Sequence, residues 1–286
     1  MSNILYDLEE IIDGTILNRP SKKIKSPYVA DVLIKNPNNP LENIEVLAHC
    51  PSLGCCGYSD KGANIYLIKN KNDNVKTSYT VVLSIFQEIK NEIEHREIIG
   101  LHPKISEKIG FNAIKQNCIK SLMNVKLLEK EKKFENSRFD IYGIDENNQE
   151  FILEIKTVPL ADYVDCPKKE RYLMEETINS RDWNQKISYF PDGYRKNKSE
   201  PVSPRALKHI QELEKIALIG KYKCYLLFII QRIDVFCFQT SVIDPIYKDA
   251  VKKASDNGVN ILTLQVNWNK EDCKAYYYPN DLAINL

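Results

Sequence analysis

Apolar and polar residues alternate in short runs over the first third of the chain, and turn-forming clusters cut the runs apart. The runs at 14–17, 28–35, 44–49, 63–68 and 78–86 have the period-two pattern of half-buried strands. Asn-Pro at 36–40, Ser-Asp-Lys-Gly at 59–62 and a Lys/Asn-rich stretch at 69–74 separate them. Five short strands in so little chain predict a small β-barrel. Residues 1–12 read as a short amphipathic helix or a frayed end.

The texture changes after Gln87, where a charged stretch begins. Pro103 then opens a predicted helix over 104–117, with Ile105, Ile109 and Ala113 on one face. Strands are predicted at 124–134, 138–144 and 150–158. Residues 161–200 are charged, aromatic and irregular, which suggests a long insertion or lid. Ser203 as N-cap, Pro204 at the first helical position and Gly220 as terminator bound a second helix. Its expected core stripe is Leu207, Ile210, Leu213, Ala217 and Leu218. The continuous apolar run at 225–230 predicts a central strand covered on both faces, with the Val-Phe-Cys-Phe-Gln run that follows as its hairpin partner. A helix at about 244–256 and a last strand (Ile-Leu-Thr-Leu-Gln-Val) close the pattern.

A helix joining two strands is a crossover, so part of the second sheet should be parallel. The expected architecture is therefore α+β or α/β: a barrel over 1–88 and a mixed-sheet domain over 89–286.

Composition narrows the function classes. Lys plus Arg number 40 against 39 Asp plus Glu, so the whole molecule has no basic field, and a nucleic-acid partner needs a local patch. No apolar run is long enough to span a bilayer, and the acidic N-terminus lacks a signal peptide's basic start; a soluble, intracellular (cytoplasmic) protein is expected. The eight cysteines are scattered, which fits small buried hydrophobes better than disulfides. Cys50, Cys55 and Cys56 cluster, but no second pair with zinc-ligand spacing follows.

The chemistry gathers at Asp140, Glu154 and Lys156. Strand alternation puts Glu154 and Lys156 on one face and Ile155 on the other. A hairpin centred on Asn147 pairs residues whose numbers sum to 294, which sets Asp140 opposite Glu154. Like charges so placed repel, and a divalent cation removes the repulsion. Mg²⁺, or its analogue Mn²⁺, takes one or two carboxylates plus water and phosphate oxygens. The expected ligands are Asp140, Glu154 and the carbonyl of Ile155. Lys156 would orient water or stabilise the transition state, and Gln231 would position water or substrate. The competing reading is an ordinary solvated strand face, since Asp-x(13)-Glu-x-Lys is a weak pattern alone.

Several segments together resemble the sugar fermentation stimulation protein family. YVADV (28–32), AHCPSLG (48–54), NSRFD (136–140), LEIKTVPL (153–160), YFPDG (189–193), LKHIQEL (207–213), LLFIIQRID (226–234), IDP (243–245) and GVNIL (258–262) match its motifs in order along nearly the whole chain. The resemblance implies an N-terminal OB-like barrel and a C-terminal domain similar to PD-(D/E)xK nucleases, with DNA-binding capacity. It maps the metal-site acids onto Asp140 and Glu154 and the catalytic lysine onto Lys156, with Glu131 at an acidic position on the preceding strand. Departures in the barrel are the basic run shifted to Lys22, Lys23 and Lys25, Ser52-Leu53 in place of Asn-Thr, and Cys55-Cys56 in place of the usual residues; in the second domain Glu135 stands where a Gly is usual.

Lys22, Lys23, Lys25, Arg138, Lys208 and His209 are the candidate nucleic-acid contacts. Each has a plainer alternative: solvated lysines, an arginine bracing the carboxylates, a helix-surface histidine. Arg232 and Asp234 can pair with each other instead of with substrate. The expected partner is nucleic acid, DNA before RNA, with homodimerisation open and no membrane. The favoured function is a Mg²⁺- or Mn²⁺-dependent nuclease; the alternative is a DNA-binding or regulatory protein that keeps the nuclease fold without turnover.

Overall fold

The computed structural model describes residues 3–53, 55, 57–72, 74–134, 137–193 and 199–286. In chain order the first strands are β1 (Ile4–Asp7), β2 (Ile12–Asn18), β3 (Val29–Asn36), β4 (Asn39–His49), β5 (Asn64–Lys69), β6 (Tyr79–Lys90) and β7 (Ile93–Gly100). Helix α1 (Pro103–Lys115) leads to β8 (Leu127–Phe134), β9 (Ser137–Ile144) and β10 (Glu150–Val158). Then come β11 (Ala161–Asp162), α2 (Glu175–Ser180), β12 (Lys186–Phe190) and α3 (Pro204–Ile219). The chain continues through β13 (Lys223–Ile230), β14 (Val235–Thr240), α4 (Pro245–Asp256), β15 (Val259–Asn269), β16 (Lys274–Tyr278) and β17 (Ala283–Asn285).

Three sheets form among the described residues. The first runs β4-β3-β2-β5-β6-β7, and β4 also meets β6 in parallel at Ala48–Tyr79 and His49–Thr80, so the sheet curls back on itself. The second runs β1-β16-β15-β13-β10-β9-β8 and the third β11-β12-β14-β17. The second sheet is mixed, as the crossover argument requires: β13 pairs in parallel with both β10 and β15, while β9 and β10 form an antiparallel hairpin.

Strand β13 explains why this sheet holds together. From Cys224 to Ile230 every residue is buried. Tyr225, Leu227 and Ile229 face a core shared with Ile105 and Ile109 of α1 and with Tyr66 and Leu83 of the first sheet. Leu226, Phe228 and Ile230 face the opposite core, with Ile210 and Leu213 of α3 and Tyr247 and Val251 of α4. Each such side chain contributes roughly 1.5–3 kcal/mol by leaving water. Helix α3 starts where Ser203 accepts a hydrogen bond from the Ala206 N–H and ends at Gly220, whose φ of 75° favours glycine.

The structure corrects five expectations. Residues 4–7 are strand β1, not helix; they pair with β16 at the edge of the second sheet, Ile4 with Tyr276 and Asp7 with Lys274, a partner at the far end of the sequence that local periodicity does not reveal. The division at 88/89 falls inside β6, and β7 pairs with that strand, so the first sheet continues to Gly100. Strand β14 is not a hairpin partner of β13: both edges of β13 are taken by β10 and β15, and β14 joins β12 and β17 instead. Leu218 is exposed in the last turn of α3, while His209 and Glu214 turn inward. The expected lid is partly regular, supplying β11, α2 and β12. Among the described cysteines all are free; Cys50 and Cys55 are buried, and burial pushes both thiols up to about 11. Cys56, Gly54, Glu135 and Asn136 lie outside the described residues.

Candidate metal centre

The β9–β10 hairpin sets the register of the site. Its turn is tied by Asp145, which accepts from the N–H groups of Asn147 and Gln149 and pairs with Lys223 at 2.7 Å. The pairs Glu150–Ile144, Phe151–Gly143, Ile152–Tyr142 and Leu153–Ile141 all sum to 294, as the sequence predicts. The ladder then stops one pair short of Asp140 and Glu154. In place of a backbone rung, the Asp140 carboxylate accepts the Ile155 N–H at 2.7 Å.

Asp140 also lacks a rung on its other side. Lys130–Ile141 and Lys132–Phe139 pair across β8 and β9, but Glu131 between them has a φ of 56° and does not pair. Phe139 and Ile141 pack on opposite faces of the sheet, so strict alternation fails at Asp140. The expectation that Arg138 braces Asp140 is corrected by its partner. Arg138 is exposed and binds Glu131, which also meets Lys104 of α1 at 3.4 Å.

Glu154 points to the α3 face and is only 3% exposed. Its Oε1 accepts from Lys156 Nζ at 2.6 Å and from His209 Nδ1. Its Oε2 is buried and has no hydrogen-bond partner. Burial works against the carboxylate, but the charges and hydrogen bonds of Lys156 and His209 outweigh it and hold the pKa below the usual glutamate value. Asp140 goes the other way: burial, then the charge of Glu154 and that of Glu107, lift it to about 7 against the Ile155 hydrogen bond. Two carboxylates with opposed pKa shifts therefore share one site.

This donor set fits a hard divalent cation. Mg²⁺ takes one or two carboxylates and keeps several waters, and Mn²⁺ uses similar oxygen ligands. The orphaned Glu154 Oε2 and the charge-disfavoured Asp140 are the groups a cation would satisfy. In an extended strand a residue's N–H and C=O lie on the same edge, so the Ile155 carbonyl lies on the Asp140 side as well. Among the described residues no three His, Cys, Asp or Glu side chains form a complete protein cage.

The other sequence candidates divide. His209 joins the carboxylates instead of lining a nucleic-acid surface. Lys208, beside it, is exposed and lies 3.7 Å from Glu212. Gln231 does not join the acids: its Nε2 donates to Ser106, its Oε1 accepts from Trp268, and the water-positioning role gives way to a bridge between α1 and β15. Lys22, Lys23 and Lys25 are exposed between β2 and β3, with Lys23 paired to Glu45 at 3.1 Å. Beside them Tyr28 stacks on His49, ring centroids 6.5 Å apart. Arg232 and Asp234 do pair, through two contacts of 2.6 Å.

Sequence reasoning missed Glu107 and Tyr247. Glu107 sits on the first turns of α1 and pairs with Lys104 at 2.9 Å. Tyr247 is fully buried on α4 with an unpartnered hydroxyl, and burial and the charge of Glu154 push its titration up. Its position two residues beyond the Ile-Asp-Pro motif was the available signal.

Residues 104–272 match the family described as the sugar fermentation stimulation protein RE domain. The chain belongs to this family. A sugar fermentation stimulation protein homolog of Pelagibacter ubique is 30% identical over 232 residues, covering 80% of this chain and 83% of that protein. A homolog of Clostridium perfringens is 28% identical over 234 residues, covering 81% and 85%. The Pyrococcus furiosus SfsA structure, solved in complex with Ca²⁺, superposes with a TM-score of 0.73 at 18% identity and covers both chains fully, which shows a shared fold. The sugar fermentation stimulation family thus accounts for the mixed α+β, sheet-rich architecture. No helix among the described residues is long and apolar enough to cross a membrane.

Proposed function

We propose that this protein binds DNA and hydrolyses phosphodiester bonds at a divalent-metal centre built on Asp140, Glu154 and Lys156. The observation that carries the reading is a buried, unpartnered Glu154 Oε2, with a lysine at 2.6 Å from the other oxygen and the Asp140 carboxylate held on the adjoining Ile155 N–H. Asp140, Glu154 and the Ile155 carbonyl would hold Mg²⁺ or Mn²⁺. The cation, when bound, polarises the scissile phosphate and lowers the pKa of a bound water. Lys156 is fixed beside the site by Glu154 and presents its ammonium to charge developing on phosphate. Asp140 is fixed by the Ile155 N–H, so both acids are oriented before substrate arrives. That a relative of the same fold was solved with Ca²⁺, another hard oxygen-seeking cation, supports the assignment.

The nucleic-acid reading draws on a different part of the molecule. Exposed lysines 22, 23 and 25 adjoin the Tyr28–His49 ring pair at the curled first sheet. Basic side chains beside exposed aromatics suit phosphate and base contacts. The strand order β4-β3-β2-β5-β6 with the parallel β4–β6 contact supports reading this sheet as OB-like.

The test uses the full chain with end-labelled single- and double-stranded DNA and RNA, in Mg²⁺, in Mn²⁺ and in chelator. The expected result is metal-dependent cleavage that falls by more than about a hundredfold in Glu154→Gln and Lys156→Met, with binding largely retained. Cleavage that survives both substitutions contradicts the site. Tight binding with no cleavage in either metal supports the alternative, a DNA-binding protein that keeps the fold without turnover.

A further inference from the structure

The metal reading leaves His209 without a role. A buried imidazole is costly unless its polar atoms are hydrogen-bonded, and His209 is 7% exposed. Helix α3 places it where an apolar residue would normally sit, next to Ile210 and one turn from Leu213, both buried. Its ring packs edge-on to Phe139, with centroids 6.2 Å apart, so its orientation is fixed from β9 as well as from α3.

Its partner is Glu154 Oε1, the same oxygen that Lys156 holds. An ammonium only donates, so Oε1 is already the acceptor of the Lys156 contact, and His209 Nδ1, against the same oxygen, is assigned as its second donor. Two donors therefore converge on Oε1 and none on Oε2. This asymmetry fixes the carboxylate's rotation about its terminal bond. A free carboxylate would share the donors between its oxygens; here one oxygen is saturated and the other is left open.

We propose that His209 is a positioning residue: through its Nδ1–H it locks Glu154 so that Oε2 alone faces the divalent cation. The inference rests on the metal-centre reading above. It assigns to α3 a part in metal affinity that contact with nucleic acid does not require.

Two substitutions separate the hydrogen bond from packing. His209→Phe keeps a ring against Phe139 and removes the donor. His209→Asn loses the ring and keeps an N–H at the place of Nδ1. Mn²⁺ alone is titrated into the full-length wild type and variants by calorimetry, with thermal melting as the check of folding. His209→Phe is expected to weaken Mn²⁺ binding by about 10–100-fold, and His209→Asn to return it to within about threefold of wild type. If His209→Phe does not fold, His209→Ala replaces it with the same expectation. Wild-type affinity in His209→Phe, or equal weakness in Phe and Asn variants, overturns the proposal and leaves the metal centre standing. A wild-type protein that binds no Mn²⁺ overturns both readings.

Discussion

Glu154 shows how much one side chain's surroundings decide. Alternation puts Glu154 and Lys156 on one face, where they meet at 2.6 Å, and the 294 register holds as far as Leu153–Ile141, because strand geometry has few options. What alternation misses is the local break at Asp140, where both neighbouring ladders lack a rung and the carboxylate takes the Ile155 N–H instead. His209 and Gln231 were not legible, because a sequence shows which element carries a polar group and not what it meets. Gln231 meets Ser106 and Trp268; His209 meets Glu154. At this scale a ligand that binds only the folded protein must stabilise it. Mg²⁺ at about a hundred times its Kd should raise stability by about 2.7 kcal/mol. Calorimetric melting should show that rise in wild type and lose it in Glu154→Gln; an equal rise in both would place the bound ion elsewhere.

The β9–β10 hairpin, as an element, holds Asp140 in place, and it depends on a close approach at Gly143. A Cβ there would lie 2.4 Å from the Phe151 ring and 2.6 Å from the Leu127 carbonyl oxygen, a backbone atom that cannot yield cheaply. Gly143→Ala should therefore cost about 1–3 kcal/mol in urea unfolding, and an unchanged midpoint would contradict the packing described. Elements with strong local signals were readable: β13 from its apolar run, α3 from Ser203, Pro204 and Gly220, and β10 to the residue. Elements defined by distant partners were not. The apolar run of β14 looks like a hairpin partner until the edges of β13 are seen to be occupied, and β1 exists as a strand only because β16 lies beside it.

Across the whole molecule, a buried charge cluster joins the first and third sheets. Arg232 is fully buried, pairs with Asp234 and contacts the Tyr58 hydroxyl. Lys186 of β12 lies 3.1 Å from Asp234 and over the Trp183 ring, which stacks in turn on Phe86 and His95 of the first sheet. Removing one partner leaves the others buried and uncompensated, so Arg232→Ala should lose about 3–5 kcal/mol by chemical unfolding, far more than a surface arginine. Glu97 of β7 belongs to the same cluster, where its carboxylate accepts the Ile233 N–H. Burial and the charge of Asp234 raise its pKa from 4.5 to about 7, against Arg232 and Lys186. The folded state then holds this proton more tightly than the unfolded chain. Its contribution to stability is complete below about pH 4.5 and is lost as pH rises through 7. Between pH 5 and 8 the wild type should lose up to about 3 kcal/mol more than Glu97→Gln. Parallel pH slopes in melting experiments would show that Glu97 is not held as described.

The most direct test of the account is a crystal soaked in Mn²⁺ and measured at an energy where manganese scatters anomalously. One strong peak is expected within about 2.5 Å of both an Asp140 oxygen and Glu154 Oε2, with Glu154 Oε1 still bound to Lys156 and His209. A peak elsewhere, or Oε2 turned onto a protein donor with no peak beside it, would contradict the metal centre.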